Sequence, residues 1–189
     1  MRTRWTFRST SRSSAKGTDD LGTRPAILVD TNIIIETVRV GAWERLRAHE
    51  SVVTVRQCCE EALSGVPGAP GRVPVTAEQL GPPLTAVEVT NAERAALLVT
   101  TEAAATLDEG ERDLLAHARM RFAKGDKDFV IVCADQAAIK AAITLGLNDA
   151  LISLEEALKA AGIKADGSLK EHYTRRRLDE WKTKHALGI

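Results

Sequence analysis

Short β-branched apolar runs alternate along this chain with segments whose apolar residues recur at helical spacing. The runs predict strands at 26–29, 52–55, 84–89, 129–133 and 151–152. Helices are predicted after them, at about 32–40, around Trp43, at 58–63, and from Thr90, Asp108, Asp135 and Ser153 onward. Because strands alternate with helices, we expect an α/β fold with three α-β-α layers around a mainly parallel central sheet.

The same pattern divides the chain into parts. Residues 1–24 lack it and are expected to form a disordered N-terminal extension, residues 25–165 one folded domain, and residues 166–189 a basic C-terminal helix or tail. The segment 64–83 is rich in glycine and proline, which predicts a long surface loop beside the functional site. No stretch is long and apolar enough to cross a bilayer, so no membrane association is expected.

A carboxylate follows the first predicted strand directly. The apolar run 27–29 stops at Asp30, and open α/β sheets bind ligands at the carboxyl ends of their strands. Asp30 would also serve as a helix cap, and the two roles can coexist. Beside it, Thr31 is expected to hold the Asp30 side chain by a hydrogen bond. Asn32 would orient a water or a phosphate, or else be an ordinary residue of the first helical turn.

The strand at 129–133 is followed by the same arrangement, since Asp135 comes just after it and opens a helix. Two such acids converge if their strands are neighbours. Glu60 lies on the helix after the second strand, where Thr54 and Gln57 predict a capping box, and is expected to face the same edge. Glu61 is the alternative, because adjacent helical residues point roughly 100° apart and only one can face the sheet.

Glu111 is the remaining candidate acid. It stands three residues after Asp108 in a pattern that is also typical of helix capping, and Asp113 is its rival. Carboxylates gathered in one cleft repel one another unless protons or a cation neutralise them. Hard divalent cations such as Mg²⁺ or Mn²⁺ prefer such oxygen ligands, activate water and clamp phosphodiesters. The predicted reaction is therefore phosphodiester hydrolysis.

Four segments resemble, in order, the motifs of PIN-domain nucleases: Val29–Asn32, Thr54–Glu60, Leu107–Ala118 with its Gly-Glu helix start, and Cys133–Asp135. The resemblance covers about residues 26–160 and implies a Mg²⁺- or Mn²⁺-dependent ribonuclease with RNA as substrate. It implies that the catalytic and metal-binding acids are Asp30, Glu60, Glu111 and Asp135. Many small members of the family are dimeric toxins of toxin–antitoxin pairs, so the resemblance also implies a homodimer and an antitoxin protein as partner.

The chain also departs from the family pattern. Cys133 stands where the family usually has Thr, and no aromatic residue follows Asp135 at the common distance. The third acid is Glu where Asp is commoner. The departures near Asp135 and the extended tails favour an alternative function, a non-catalytic PIN-like module that acts by binding RNA or a protein partner.

Charge and cysteine content bear on partners and compartment. The formal net charge is zero, yet both ends of the chain are basic and the middle is acidic. The run Arg175–Arg177 would either grip an RNA backbone or form a solvated helix face. The three cysteines show no metal-ligand spacing and two of them are adjacent, which favours reduced thiols and a cytoplasmic location.

Overall fold

The computed structural model describes residues 25–49, 51–64 and 69–188. The extension predicted at 1–24 lies outside them. The strands are β1 (Ala26–Val29), β2 (Val52–Val55), β3 (Thr85–Val87), β4 (Phe129–Val132) and β5 (Leu151–Ile152). The α-helices are α1 (Thr31–Arg39), α2 (Trp43–His49), α3 (Arg56–Leu63), α4 (Asn91–Thr100), α5 (Glu109–Ala123), α6 (Gln136–Thr144), α7 (Leu154–Ala160) and α8 (Arg175–Leu187). Short 3₁₀ turns lie at Glu102–Thr106, Asn148–Ala150 and Glu171–Tyr173.

All five strands belong to one parallel sheet, in the order β3-β2-β1-β4-β5. The chain therefore builds outward from β1 to one edge and then returns to place β4 on the other side of β1. The crevice between β1 and β4, where the direction of winding reverses, is the place where open α/β sheets bind ligands. The predicted α/β fold with three layers is confirmed. Because the sheet is parallel, the polar residues that follow the strands lie at one edge of it.

Alternating strand residues supply two hydrophobic cores, one on each face of the sheet. In β1, Ala26 and Leu28 pack into the core that α4, α5, α6 and α8 cover. Ile27 and Val29 pack into the opposite core, which α1, α2 and α7 cover. All of β1 and β4 is buried, as expected for the central strands of a sheet covered on both faces.

Two local predictions are wrong. Thr54 does not cap α3, because Val55 occupies the cap position without a side-chain bond. The Thr54 hydroxyl instead donates to the carbonyl of Val29 on the neighbouring strand, at 2.7 Å, since a buried hydroxyl needs a partner. The C-terminal helix begins at Arg175 rather than near Asp166, because Thr174 caps it through a bond from the Arg177 N–H.

The described part of the loop 64–83 lies at the opposite end of the sheet from the one predicted. The indole of Trp43 on α2 donates to the carbonyl of Gln79 at 2.8 Å, and Arg47 donates to the carbonyl of Gly81. Because α2 leads directly into β2, it lies at the amino end of the parallel strands. This part of the loop supports α2 and does not border the carboxyl edge.

Hydrogen bonds hold the segment before α8 against α1. Lys170 donates its backbone N–H to the buried carboxylate of Glu36 at 2.9 Å, and Tyr173 donates its hydroxyl to the carbonyl of Asn32. Arg39 donates two hydrogen bonds to the same Glu36 carboxylate. Burial raises the pKa of Glu36, but these hydrogen bonds and the Arg39 charge lower it by more. The ties bring the turn 171–173 to the carboxyl edge of the sheet.

Glu36→Ala should lower the free energy of unfolding by about 2–3 kcal/mol, because it leaves the Lys170 N–H without its acceptor and the Arg39 guanidinium with only the Ser168 carbonyl. Urea denaturation measures the loss. The matched control is Glu44→Ala, which removes an exposed carboxylate paired with Arg47 at the same spacing and should cost less than about 0.5 kcal/mol. Equal losses in both variants would contradict the assigned role of the buried carboxylate.

Within the described ranges, no helix combines the length and the apolar character that crossing a membrane requires.

Candidate active site

Asp30 is the most buried of the candidate acids, with 1% of its surface exposed. It follows β1 and caps α1, where its Oδ1 accepts from the Ile33 N–H at 2.8 Å. Its Oδ2 is buried and has no hydrogen-bond partner among the residues that the structure describes. Burial raises the pKa of Asp30 to about 7, against the bond from Ile33, and the negative charges of Asp108 and Asp135 raise it further. Asp30 therefore caps the helix, as the sequence suggested, and the structure adds that its second oxygen is unpaired.

Asp135 occupies the corresponding place after β4. Its Oδ1 accepts from the N–H groups of Ala137 and Ala138 at 2.7 and 3.1 Å, which caps α6. Because β1 and β4 are neighbours, this acid lies close enough to Asp30 for its charge to raise the Asp30 pKa. The two strand-end acids thus meet at the switch point, as predicted.

Glu111 joins them from the start of α5. Only 7% of it is exposed, and none of the described residues donates a hydrogen bond to its carboxyl group. Burial raises the pKa of Glu111 to about 8, and the charges of Asp135, Asp108 and Asp30 add to the shift. Asp108 caps α5 by accepting from the Glu111 N–H at 2.8 Å. The sequence pattern predicted Asp108 only as a cap, yet its carboxylate is a fourth member of this acidic group.

The expected choice of Glu60 is wrong in its placement. Glu60 is exposed, whereas Glu61 accepts from the Thr31 hydroxyl at 2.6 Å and from the Gly110 N–H at 2.9 Å. Thr31 therefore holds Glu61 and not Asp30. The helical phase carried the signal, since buried Cys58 lies one turn before Glu61 but about 200° around the helix from Glu60.

Gly110 is required by this contact. A Cβ at position 110 would overlap the Oε2 atom of Glu61 and would lie 3.0 Å from the sulfur of Cys58. The missing side chain lets α3 approach the first turn of α5, so that a carboxylate can accept from an unpaired helix N–H. The Gly-Glu pair in the sequence thus has a packing reason for its glycine.

Asp113, the rival of Glu111, is engaged elsewhere. Arg94 on α4 donates two hydrogen bonds of 2.6 Å to its two carboxylate oxygens. This bidentate pair joins α4 to α5 on the flank of the molecule. Glu111, whose carboxyl group interacts with the charges of Asp135, Asp108 and Asp30, is left as the acid next to the strand ends.

A cavity of about 270 Å³ opens beside Asp135. Asn32, His172 and Tyr173 line it together with that acid. The ring of His172 packs against Tyr173, with 4.1 Å between the ring centroids. No local sequence pattern pointed to His172, because only the tertiary ties to α1 bring it across from the C-terminal segment.

The donor set fits a hard divalent cation in its chemistry. It consists of carboxylates, one with a buried unpaired oxygen, and their raised pKa values reflect a demand for positive charge that a cation would meet. As the side chains are placed, however, the described residues include no group of three His, Cys, Asp or Glu able to hold a metal ion. The acids lie close enough for their charges to interact, without forming a finished coordination shell.

Comparison of the chain with protein-family models, with curated proteins and with solved structures gave no match. The likeness to PIN-domain nucleases rests on the four sequence motifs, and the parallel three-layer fold is consistent with it.

Glu61→Ala should lower the free energy of unfolding by about 1–3 kcal/mol, because the Thr31 hydroxyl and the Gly110 N–H lose their shared acceptor. Glu60→Ala is the control on the same helix and should change stability by no more than about 0.5 kcal/mol. Urea denaturation of both variants gives the comparison. A larger loss at position 60 than at position 61 would refute the placement of these side chains.

The metal-free protein should lose stability as the pH rises from about 5 to about 8. The pKa values of Asp30 and Glu111 are raised from 3.8 and 4.5 to about 7 and about 8. In this range the folded state therefore retains protons that the unfolded state has released, and raising the pH lowers the free energy of unfolding. Each carboxyl group can contribute at most about 1.4 kcal/mol for every pH unit that separates its pKa in the unfolded state from that in the folded state. Urea denaturation in EDTA at the two pH values measures the change.

Asp30→Asn isolates the contribution of Asp30, because the amide does not titrate and its share of the pH dependence disappears. Burial lowers the pKa of His117, which contributes with the opposite sign but is present in both proteins and cancels in the comparison. Glu60→Gln removes an exposed carboxyl group and should retain the wild-type slope. The assignment fails if Asp30→Asn retains that slope as well.

Proposed function

We propose that this protein is a metal-dependent ribonuclease that hydrolyses RNA phosphodiesters. The proposal is carried by the buried, unpartnered Oδ2 of Asp30 at the switch point of a parallel sheet. A carboxylate without a partner costs free energy when it is buried, and such groups are retained chiefly at sites of function. The resemblance of the motifs to those of PIN-domain nucleases supplies the substrate class.

The acids that would hold the cation are Asp30, Glu111 and Asp135, with Asp108 at the rim. When bound, Mg²⁺ or Mn²⁺ would activate a water and offset the charge of the scissile phosphate. The chain fixes Asp30 and Asp135 by using one oxygen of each to cap a helix, which would leave the second oxygen of each for the cation. Asn32 and His172 line the adjoining cavity, where an amide and an imidazole can donate to phosphate oxygens.

Glu61 has a positioning role in this scheme. Its carboxylate joins the first turn of α1, which follows Asp30, to the first turn of α5, which carries Glu111. Because both of its oxygens are engaged, Glu61 acts through the placement of the two acids rather than as a ligand. The family motif implied a metal-binding Glu on this helix. We propose instead that Glu61 on this helix holds the starts of α1 and α5 in place.

A second candidate function is the non-catalytic RNA-binding module. The observation that favours it is the lack of a ready three-ligand metal group among the described side chains. The two functions differ in whether the acids close around an added ion, and that difference can be measured directly.

Wild-type protein should cleave a labelled RNA with Mg²⁺ or Mn²⁺ and not in EDTA. Asp30→Asn and Asp135→Asn should each reduce turnover by at least about two orders of magnitude, because each removes charge from the proposed ligand set. Glu60→Gln is the control and should cleave at the wild-type rate. Mn²⁺ should also raise the melting temperature of the wild type and not that of Asp30→Asn. If the protein binds RNA but shows neither cleavage nor a metal-induced rise in melting temperature, the binding module is established instead.

A further inference from the structure

A groove between α6 and α8 opens next to the candidate site. Its volume is about 360 Å³, within the range of about 300–1,000 Å³ that ligand sites occupy. Gln136 lines it and directly follows Asp135, which lines the cavity that also contains His172. A ligand held at Asp135 therefore lies beside the groove as well as in the cavity.

The groove is positively charged. Lys140, Lys184 and His185 line it, and none of the described lining residues is acidic. Both lysines are exposed, and neither forms an ion pair with a carboxylate of the described residues. By contrast, Arg175 and Arg176 at the start of α8 each pair with two carboxylates, at 2.5 to 3.7 Å. Arg177 pairs with Glu180 as well, so on α8 the groove lysine Lys184 is more available to an anionic ligand than the arginine run.

The groove also contains an aromatic ring. Trp181 is half-buried, with the Nζ of Lys184 at 4.8 Å and the Cζ of Arg177 at 4.4 Å from its ring centroid. Both cations lie over the ring, so a base that stacks on Trp181 takes the place of one of them and leaves that cation free to contact the adjoining phosphate. Half-buried Ile143 completes the wall with an apolar surface for base or sugar.

We infer that this groove binds a segment of single-stranded RNA next to the phosphodiester that lies at Asp135, with Lys140 and Lys184 on phosphates and a base against Trp181. The inference rests on the proposed function for the identity of the polymer. Its support is the charge and the ring of the groove and the position of Gln136, which lines the groove directly after Asp135 in the chain. A duplex would not fit this arrangement, because paired bases are not free to stack on a side chain.

Binding of a fluorescein-labelled, twelve-nucleotide single-stranded RNA to the full-length protein in EDTA tests the groove without hydrolysis. The double variant Lys140→Ala/Lys184→Ala should bind at least about tenfold more weakly at low salt. The slope of log affinity against log salt should fall by about 1.4, since each phosphate contact on a single strand contributes about 0.7. The control Lys159→Ala/Arg176→Ala removes the same charge outside the groove and should bind within about twofold of the wild type. Equal losses in the two double variants would overturn the inference.

The aromatic contact is tested by variants that keep the position apolar. Trp181→Leu should weaken RNA binding about tenfold, whereas Trp181→Phe should retain most of it, because only the second keeps a face for stacking. Far-ultraviolet circular dichroism verifies that both variants fold. Wild-type protein should prefer the single strand to the same sequence in duplex by at least about tenfold, and an equal affinity for both would contradict the assignment.

Kinetics separate failure of the groove from failure of the proposed function. If the protein cleaves RNA, the groove double variant should raise KM about tenfold and leave kcat within about twofold, because it acts on flanking contacts. Wild-type KM in that variant would overturn the groove and leave the nuclease in place. If no RNA is cleaved with either metal while the binding differences hold, the proposed nuclease fails and the groove assignment stands.

Discussion

The structure is organised around the burial of one carboxylate in the middle of a parallel sheet. Asp30 follows the central strand, and a charged group there would ordinarily be far more costly than a neutral one. The Ile33 N–H donates a hydrogen bond to one of the two oxygens, which offsets part of this cost. The other oxygen is buried and has no partner among the described residues. The negative charges of neighbouring acids raise the pKa of Asp30 further and so disfavour its ionised form. Such an arrangement is stable only with a proton or a cation, which is why it marks the candidate site.

The starts of three helices place most of the acids. Asp30, Asp108 and Asp135 cap α1, α5 and α6, and in each case one carboxylate oxygen accepts from the first turn. The positive end of a helix favours negative charge nearby, so the local chemistry of capping and the collective chemistry of the site reinforce each other. Glu61 then fixes the starts of α1 and α5 relative to each other. Capping and function are not rival explanations at these positions.

The C-terminal segment extends this site beyond the crevice. The turn 171–173 is held on α1 by Glu36 and Asn32 and supplies His172 to the cavity. The helix that follows packs beside α6. Its Lys182 donates to the carbonyls of Asn148 and Leu151, which come after α6 in the chain. A part of the chain that looked from sequence like a basic tail thereby forms one wall of the cavity and one of the groove.

The sequence by itself determined the strands, the order of helices and the two strand-end acids. Those features depend on local periodicity and on capping patterns, which neighbouring residues encode. Only the tertiary structure decided between Glu60 and Glu61, turned Thr54 from a cap into a cross-strand donor, and added Asp108 and His172 to the site. Each of these depends on which surface a distant segment covers. The motif-based choice of Glu60 failed for that reason, since the direction of a helical side chain follows from packing against α1 and α5 and not from its distance along the chain to a predicted cap.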